Sequence, residues 1–208
     1  MIELAFLLAP TPRNNQEPDR SNPEERGLLA MVLLILSLTM LFMSGLVIHV
    51  WMKFSFAEVN KVWKPSHFKE LITILSVSTA TIFLSSITLH ISYKKWKAHS
   101  RTESFLFSII TLVLGITFIS LQVYSWTYLI NFELYTGNKN LFSFLFYFLT
   151  GLHIFHLLLG ILFQIKILVG HIHEPNYKTQ LTRLKYQMVY WHFLDIIWIL
   201  LFLGLYLI

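Results

Sequence analysis

The sequence predicts an all-α membrane protein, a polytopic bundle of five transmembrane helices. Its 208 residues are 55% hydrophobic and only 13% charged, and a soluble domain of this length needs more polar residues to cover its surface. The hydrophobic residues form five runs, each long enough to cross a bilayer as a helix of about 20 residues. None of the runs alternates apolar and polar residues as the strands of a membrane barrel do.

The five runs set the predicted boundaries of the helices. They cover residues 28–52, 71–93, 105–130, 141–165 and 187–208. Residues 1–26 hold four of the six prolines, and this composition predicts an irregular arm. The remainder, residues 27–208, is predicted to form a single transmembrane domain, because the runs leave no room for a separate soluble domain.

The distribution of basic residues predicts the orientation of the chain. The arm, the second loop and the fourth loop together contain 11 Lys and Arg residues, against five in the first and third loops. The positive-inside rule then places the N-terminus and its arm on the inner side and the C-terminus outside. This clustering at helix ends explains the net charge of +5 without nucleic acid as a partner. The absence of cysteine excludes disulfides, thiolate metal sites and c-type heme attachment within this sequence.

Asp195 is the only acidic residue in the five hydrophobic runs. An aspartate at the centre of a membrane helix costs about 2.5–3.5 kcal/mol on insertion scales, so it normally faces other helices and finds a partner. On a helix, His192 lies one turn from Asp195, and Trp191, Asp195 and Trp198 form a stripe with i, i+4, i+7 spacing. We expect this stripe to face protein, because lipid would leave its polar atoms unpaired.

The fourth run offers candidate partners for Asp195. Its segment TGLHIFHLLLG, residues 150–160, places His153 and His156 one turn apart. Gly151 and Gly160 are small enough to let a neighbouring helix approach closely. The sequence therefore predicts a hydrogen bond between Asp195 of the fifth helix and a histidine of the fourth.

Three interpretations of the buried polar residues remain open at this point. The favoured one is a structural cluster that joins the helices, formed by His153, His156, His192, Asp195 and Gln122. The second is a proton relay, which also uses Asp and His within membranes. The third is heme or metal ligation, suggested by histidines in four of the five runs. Outside the runs, the segment HIHEP brings together His171, His173 and Glu174, which form either a candidate proton antenna near pH 6.5 or a solvated loop.

Two ordered motifs make the chain resemble subunit III of the heme-copper oxidases, the cytochrome c oxidase family. Its last helix matches the family pattern Tyr-Trp-His-Phe-x-Asp-x-x-Trp from Tyr190 to Trp198. The penultimate helix matches the family at Thr150, Gly151, His153, His156 and Gly160. The third helix matches at Leu121, Gln122 and Trp126. The resemblance covers roughly residues 28–208, and five helices resemble the short bacterial form, which lacks the two N-terminal helices of longer members.

This resemblance implies a non-catalytic subunit of an oxidase that reduces dioxygen to water and pumps protons. It implies no active site, cofactor or metal in this chain, with heme and copper held by partner subunits. The implied partners are the catalytic subunit I, subunit II, a small subunit IV, bound phospholipid and a respiratory supercomplex. The implied role is to stabilise the catalytic subunit, bind lipid and sustain proton uptake in a bacterial cytoplasmic (inner) membrane. The alternatives are the related subunit of a quinol oxidase or a nitric oxide reductase, and a heme-binding membrane cytochrome.

Three positions depart from the family pattern. Ile154 stands where the family usually has glycine, which predicts looser packing of the fourth helix at that point. Ser125 stands where many members have glutamate, and Thr39 aligns with a membrane-embedded glutamate of many relatives. Any role of that glutamate therefore does not extend to this sequence.

Overall fold

The computed structural model describes residues 23–55, 68–131, 141–173 and 176–204, and these residues form five helices. The helices are α1 (Pro23–Ser55), α2 (Phe68–Lys97), α3 (Arg101–Asn131), α4 (Leu141–His173) and α5 (Tyr177–Phe202). No strand occurs in these ranges. The predicted all-α class with five helices is confirmed.

Four of the helices are long and apolar enough to cross a membrane. The candidate spans are Leu29–Trp51, Glu70–Lys97, Arg101–Tyr128 and Tyr147–His173. The fifth helix, α5, is more polar because it carries Gln187, His192 and Asp195. Its 26 residues make it about 39 Å long, and it packs inside the bundle. The chain is therefore a polytopic helical membrane protein.

The helices extend beyond the hydrophobic runs that predicted them. The first begins at Pro23, so the last residues of the predicted arm are helical; proline is favoured at the start of a helix. The last begins at Tyr177, ten residues before the predicted start, and Asn176 caps it by accepting a hydrogen bond from the backbone N of Lys178 at 3.0 Å. Hydropathy marks only the part of a helix that lies in hydrocarbon, whereas the helix continues into the polar layer. Residues 1–22 of the predicted arm and residues 205–208 lie outside the described residues.

Helices α2 to α5 form a four-helix bundle in which each packs against the next and α5 returns to α2. Helix α1 packs on the outside of this bundle, against α4 and α5. Its contact depends on Phe42, which is only 1% exposed, and on Gly45. A Cβ atom at Gly45 would lie 2.5 Å from Leu149 Cδ2, so glycine permits the close approach of α1 to α4.

The α2–α3 and α4–α5 connections lie together at one end of the bundle. The three-residue α2–α3 turn contains His99 in a left-handed conformation, with φ of 63°. The His99 ring stacks on Tyr177 at 4.7 Å between ring centroids, and Trp96 Nε1 donates a hydrogen bond to the Tyr177 carbonyl at 3.4 Å. This contact brings together the two basic loops that the orientation prediction assigned to the inner side.

Candidate functional site

The polar residues of α5 form a stripe that faces protein. Trp191 and Trp198 are fully buried, and Asp195 is 6% exposed. Trp191 Nε1 donates a hydrogen bond to Ser85 Oγ at 2.9 Å, and Trp198 Nε1 donates to Thr79 Oγ1 at 3.0 Å. Both hydroxyls belong to α2. The prediction that the stripe faces protein is confirmed, and the helix that it contacts is α2.

Asp195 lies between these two tryptophans on α5. Its carboxyl group is hydrogen-bonded to Ser86, which is also a residue of α2. The Ser86 hydroxyl donates to Asp195 Oδ2, and Ser86 Oγ lies 2.8 Å from His192 Nδ1. Because the single hydroxyl proton of Ser86 is used on the carboxyl group, the Nδ1–H group of His192 is the donor in the second bond. One serine therefore joins the carboxyl group and the imidazole of α5.

The predicted hydrogen bond between Asp195 and a histidine of α4 is wrong. The face of α5 that contacts α4 carries Gln187 and Tyr190 instead. Gln187 Nε2 donates to the carbonyl of Gly160 at 2.9 Å, and the Tyr190 hydroxyl donates to the carbonyl of His156 at 3.0 Å. Asp195 is on the other side of the helix, toward α2.

Gly160 permits the close approach of α4 and α5, as predicted. A Cβ atom at this position would lie 3.2 Å from Trp191 Cζ3 and 3.3 Å from Tyr190 Cε1. These distances are shorter than ordinary carbon–carbon contacts, so a side chain here would push the helices apart. Ile154, at the family's usual glycine position, is nevertheless buried at 7% exposure.

His153 is fully buried among aromatic rings. The ring centroids of Trp198, Phe118 and Phe42 lie 5.3, 6.0 and 6.3 Å from that of the imidazole. Within the described part of the chain, neither of its ring nitrogens has a hydrogen-bond partner. His156 differs, since its Nδ1–H group lies 2.7 Å from the carbonyl oxygen of Leu152 in its own helix. The two histidines are thus packing residues of α4.

Gln122 is also fully buried, and its side-chain amide makes no hydrogen bond with the described residues. The hydroxyls of Ser125 and Thr39, which the family resemblance aligned with glutamate, bond to their own helices. Ser125 Oγ donates to the Gln122 carbonyl at 2.7 Å, and Thr39 Oγ1 donates to the Ile35 carbonyl at 2.8 Å. The structure therefore brings Asp195 and His192 together through Ser86, and it does not join them by hydrogen bonds to His153, His156 or Gln122.

The candidate antenna residues have different environments. His171 is half-buried, with Nε2 lying 3.0 Å from Ser104 Oγ and its ring centroid 4.8 Å from that of Trp96. His173 is exposed at the end of α4, and Glu174 lies outside the described residues. His171 therefore belongs to the packed end of the bundle rather than to a solvated loop.

The heme interpretation has little support in the geometry. Among the residues with described positions, no group of three His, Cys, Asp or Glu side chains is arranged to hold a metal ion. His153 is in contact with aromatic rings from three neighbouring helices, which leaves no open face for a porphyrin.

Sequence reasoning missed the hydroxyl partners on α2. The signal was present, because the apolar run of α2 contains serine or threonine at 73, 76, 78, 79, 81, 85, 86, 88 and 92. In membrane helices, hydroxyl side chains often join neighbouring helices. Nine serine and threonine hydroxyls in one span could have identified α2 as the partner of the polar helix.

Comparison with known proteins gives consistent matches. The sequence model of the family described as cytochrome c oxidase subunit III matches residues 18–208. Cytochrome c oxidase subunit 3 of Chondrus crispus is 30% identical over 154 residues, which are 72% of this chain and 54% of that protein. The subunit of the same name from Synechocystis sp. is 30% identical over 155 residues, 73% of this chain and 64% of that protein. Quinol oxidase subunit 3 of Bacillus spizizenii is 27% identical over 136 residues, 65% of this chain and 66% of that protein.

The chain thus spans between about half and two thirds of the length of these three relatives. The family match extends over all five helices and includes the motifs that carry the resemblance. The subunit is part of an oxidoreductase complex in these relatives, as their names state. This chain belongs to the cytochrome c oxidase subunit III family.

Proposed function

We propose that this chain is a non-catalytic subunit of a terminal heme-copper oxidase that reduces dioxygen to water and pumps protons. The observation that carries the proposal is the use of the polar residues in packing. Asp195, the only acid of the hydrophobic runs, is bonded to Ser86 within the bundle. The polar groups of α5 therefore stabilise contacts between helices, which is the role expected of a framework subunit.

The proposed partners are the catalytic subunit I, subunit II and a small subunit IV, and those subunits hold the heme and copper of the catalytic centres. The names of the relatives support an oxidase complex. The proposed location is a bacterial inner membrane, with the N-terminus inside. The two basic connections that meet at one end of the bundle support that orientation.

Phospholipid binding is supported by a cavity of about 430 Å³ between α1, α4 and α5. Its walls include Met31, Leu34, Leu159 and Phe163, and Tyr186 adds a phenol group. An apolar cavity that is open toward lipid suits an acyl chain. We infer that one chain of a membrane lipid fills this space and fixes the position of α1.

The proposed function includes a contribution to proton uptake at the end of α4. We assign the surface role to His173, with Glu174 as its neighbour in sequence, because His171 is packed against Trp96. His173→Gln is expected to slow steady-state turnover of the complex at alkaline pH, where proton delivery limits the rate. His171→Gln tests packing instead and is expected to lower stability. Equal turnover of the His173 variant and the unmodified complex across the pH range would remove the antenna from the proposal.

Removal of the whole chain from the purified complex tests the proposed function. The visible heme spectrum should stay unchanged and the initial turnover near normal. Activity should then decay faster over repeated turnovers, because the catalytic subunit has lost lipid and proton supply. Loss of a heme band on clean removal of this chain would contradict the proposal and favour a heme-binding membrane cytochrome.

Asp195→Leu tests the structural role of the polar stripe. This change removes the acceptor of the Ser86 hydroxyl, and a buried unpaired polar group costs about 1–3 kcal/mol. The subunit should therefore be lost more readily during detergent purification of the complex. Ile196→Leu is the control, because Ile196 follows Asp195 directly and is 58% exposed. A subunit with this change should be retained normally in the complex. Equal retention of both variants would contradict the role.

A quinol-oxidising complex is the second candidate, and the similarity to quinol oxidase subunit 3 of Bacillus spizizenii favours it. The two candidates differ in electron donor rather than in the role of this chain. Oxygen consumption by the purified complex with reduced cytochrome c, compared with a quinol, distinguishes them directly.

A further inference from the structure

We propose that His90, Met188 and His192 form a binding site for one Cu⁺ ion in the groove between α2 and α5. His90 belongs to α2, whereas Met188 and His192 are four residues apart on α5 and therefore share one face of that helix. All three side chains are half-buried, so part of each is accessible at the surface of the bundle. The inference is independent of the proposed function, because it concerns only the side chains of this chain.

The distances fit one shared metal ion. His90 Nδ1 lies 3.3 Å from Met188 Sδ, and two ligand atoms bound at about 2.0 Å (nitrogen) and 2.3 Å (sulfur) lie about 3.4 Å apart. The ring centroids of His90 and His192 are 6.3 Å apart. In a linear arrangement, two imidazoles bound to one metal have centroids about 6.3 Å apart at the same bond length, and a bent arrangement brings them closer. An ion bound to His90 Nδ1 would also be near the Met188 sulfur.

The surroundings of His192 support its role as a ligand. Its Nδ1–H group donates to Ser86 Oγ at 2.8 Å, and the Ser86 hydroxyl donates to Asp195. This hydrogen-bonded chain selects the tautomer whose Nε2 atom carries the free lone pair. Metal-binding histidines are commonly oriented in this way: the ring nitrogen that does not bind the metal donates its N–H to a carboxyl group or another acceptor.

The ligand types select the metal. Thioether sulfur is a soft ligand that favours Cu⁺ and binds hard cations such as Mg²⁺ or Ca²⁺ poorly. Two neutral imidazoles and a thioether also bring no charge of their own into the membrane, which suits a monovalent rather than a divalent ion. Ag⁺ has the same preference for soft ligands and needs no reductant, so it is titrated in the absence of ascorbate. It is therefore a suitable probe alongside Cu⁺.

The test uses the full chain in lipid nanodiscs, titrated with Ag⁺ and with ascorbate-reduced Cu⁺ in the presence of a competing chelator. We expect one ion per chain, and an X-ray absorption spectrum that contains both nitrogen and sulfur neighbours. An unmodified chain that takes up no ion, or a spectrum without a sulfur neighbour, would overturn the proposal. In that case the contact between His90 and Met188 would be an N–H···S hydrogen bond alone.

Matched variants assign the ligands. Met188→Leu keeps the apolar volume of the side chain and removes the sulfur. It should weaken ion binding by about 100-fold, because losing a ligand should cost at least as much affinity as losing a residue that only orients a ligand. Ser86→Ala should weaken binding by about 10- to 100-fold through the orientation of His192. Met40→Leu, at a methionine that is 76% exposed on α1, should have no effect. Equal affinities of the Met188 and Met40 variants would refute the site, and a helical circular dichroism spectrum checks that each variant is folded.

Discussion

Replacing Ser86 by alanine tests the contact between α2 and α5 most directly, because its hydroxyl bonds to both Asp195 and His192. The variant leaves a nearly buried carboxyl group without its donor, which costs about 1–3 kcal/mol. Interhelical hydrogen bonds in membranes average about 0.6 kcal/mol, with a maximum near 1.7 kcal/mol. His192 is half-buried and can find another hydrogen-bond partner, so the loss of its bond to Ser86 adds little to this cost. We expect the free energy of unfolding to fall by about 1–2 kcal/mol.

The assay is the unfolding of the full chain in mixed micelles by added dodecyl sulfate, followed by circular dichroism. Ser120→Ala is the matched control, since Ser120 is exposed and its Oγ donates to the carbonyl of Ile116 in its own helix at 3.0 Å. This control should change stability by less than about 0.5 kcal/mol. Equal losses in the Ser86 and Ser120 variants would refute the reasoning.

A double-mutant cycle adds a second criterion. Once Asp195 is replaced by leucine, the Ser86 hydroxyl has lost its acceptor, so Ser86→Ala should then cost little. The coupling energy between the two substitutions should be about 1–2 kcal/mol. Purely additive effects would show that the two side chains do not depend on each other.

Two further substitutions test the packing of α4. Gly160→Val should destabilise the bundle by about 1–3 kcal/mol, because its first side-chain atom would lie 3.2 Å from Trp191. Gly151→Ala is its control and should be nearly neutral in the same unfolding assay, since the nearest side-chain atom is 3.7 Å away. Phe42→Ala should weaken the packing of α1 on the bundle and lower the free energy of unfolding by about 3–5 kcal/mol. The measurement is the rate of proteolysis of α1, which should increase. Met40→Ala, on the exposed side of α1, should leave the proteolysis rate unchanged.

The sequence predicted the parts of this fold that depend on local pattern. The hydrophobic runs identified the five helices, and the stripe of Trp191, Asp195 and Trp198 correctly predicted a face turned toward protein. Gly160 predicted the close contact between α4 and α5. Each of these follows from residue size or polarity along one helix, and no knowledge of the neighbouring helix is needed.

The partner of Asp195 could not be derived in the same way. Its prediction assumed that helices adjacent in the chain supply each other's partners, whereas α5 closes the ring of four helices against α2 as well as α4. The sequence pattern also favoured histidine over serine, because an acid and an imidazole commonly pair. The packing shows that a small hydroxyl fits between two closely packed helices, while His153 fits among larger aromatic rings.

The pairing of α5 with α2 affects how the protein enters the membrane. Synthesis proceeds from the N-terminus, so α2 is made and inserted before α5 leaves the ribosome. Inserting Asp195 at the helix centre costs about 2.5–3.5 kcal/mol in the absence of partners. The hydroxyls of α2 are already in place when α5 arrives and provide hydrogen bonds for Trp191, Asp195 and Trp198. A nascent chain in which α2 had failed to insert would leave the Asp195 carboxyl group facing lipid.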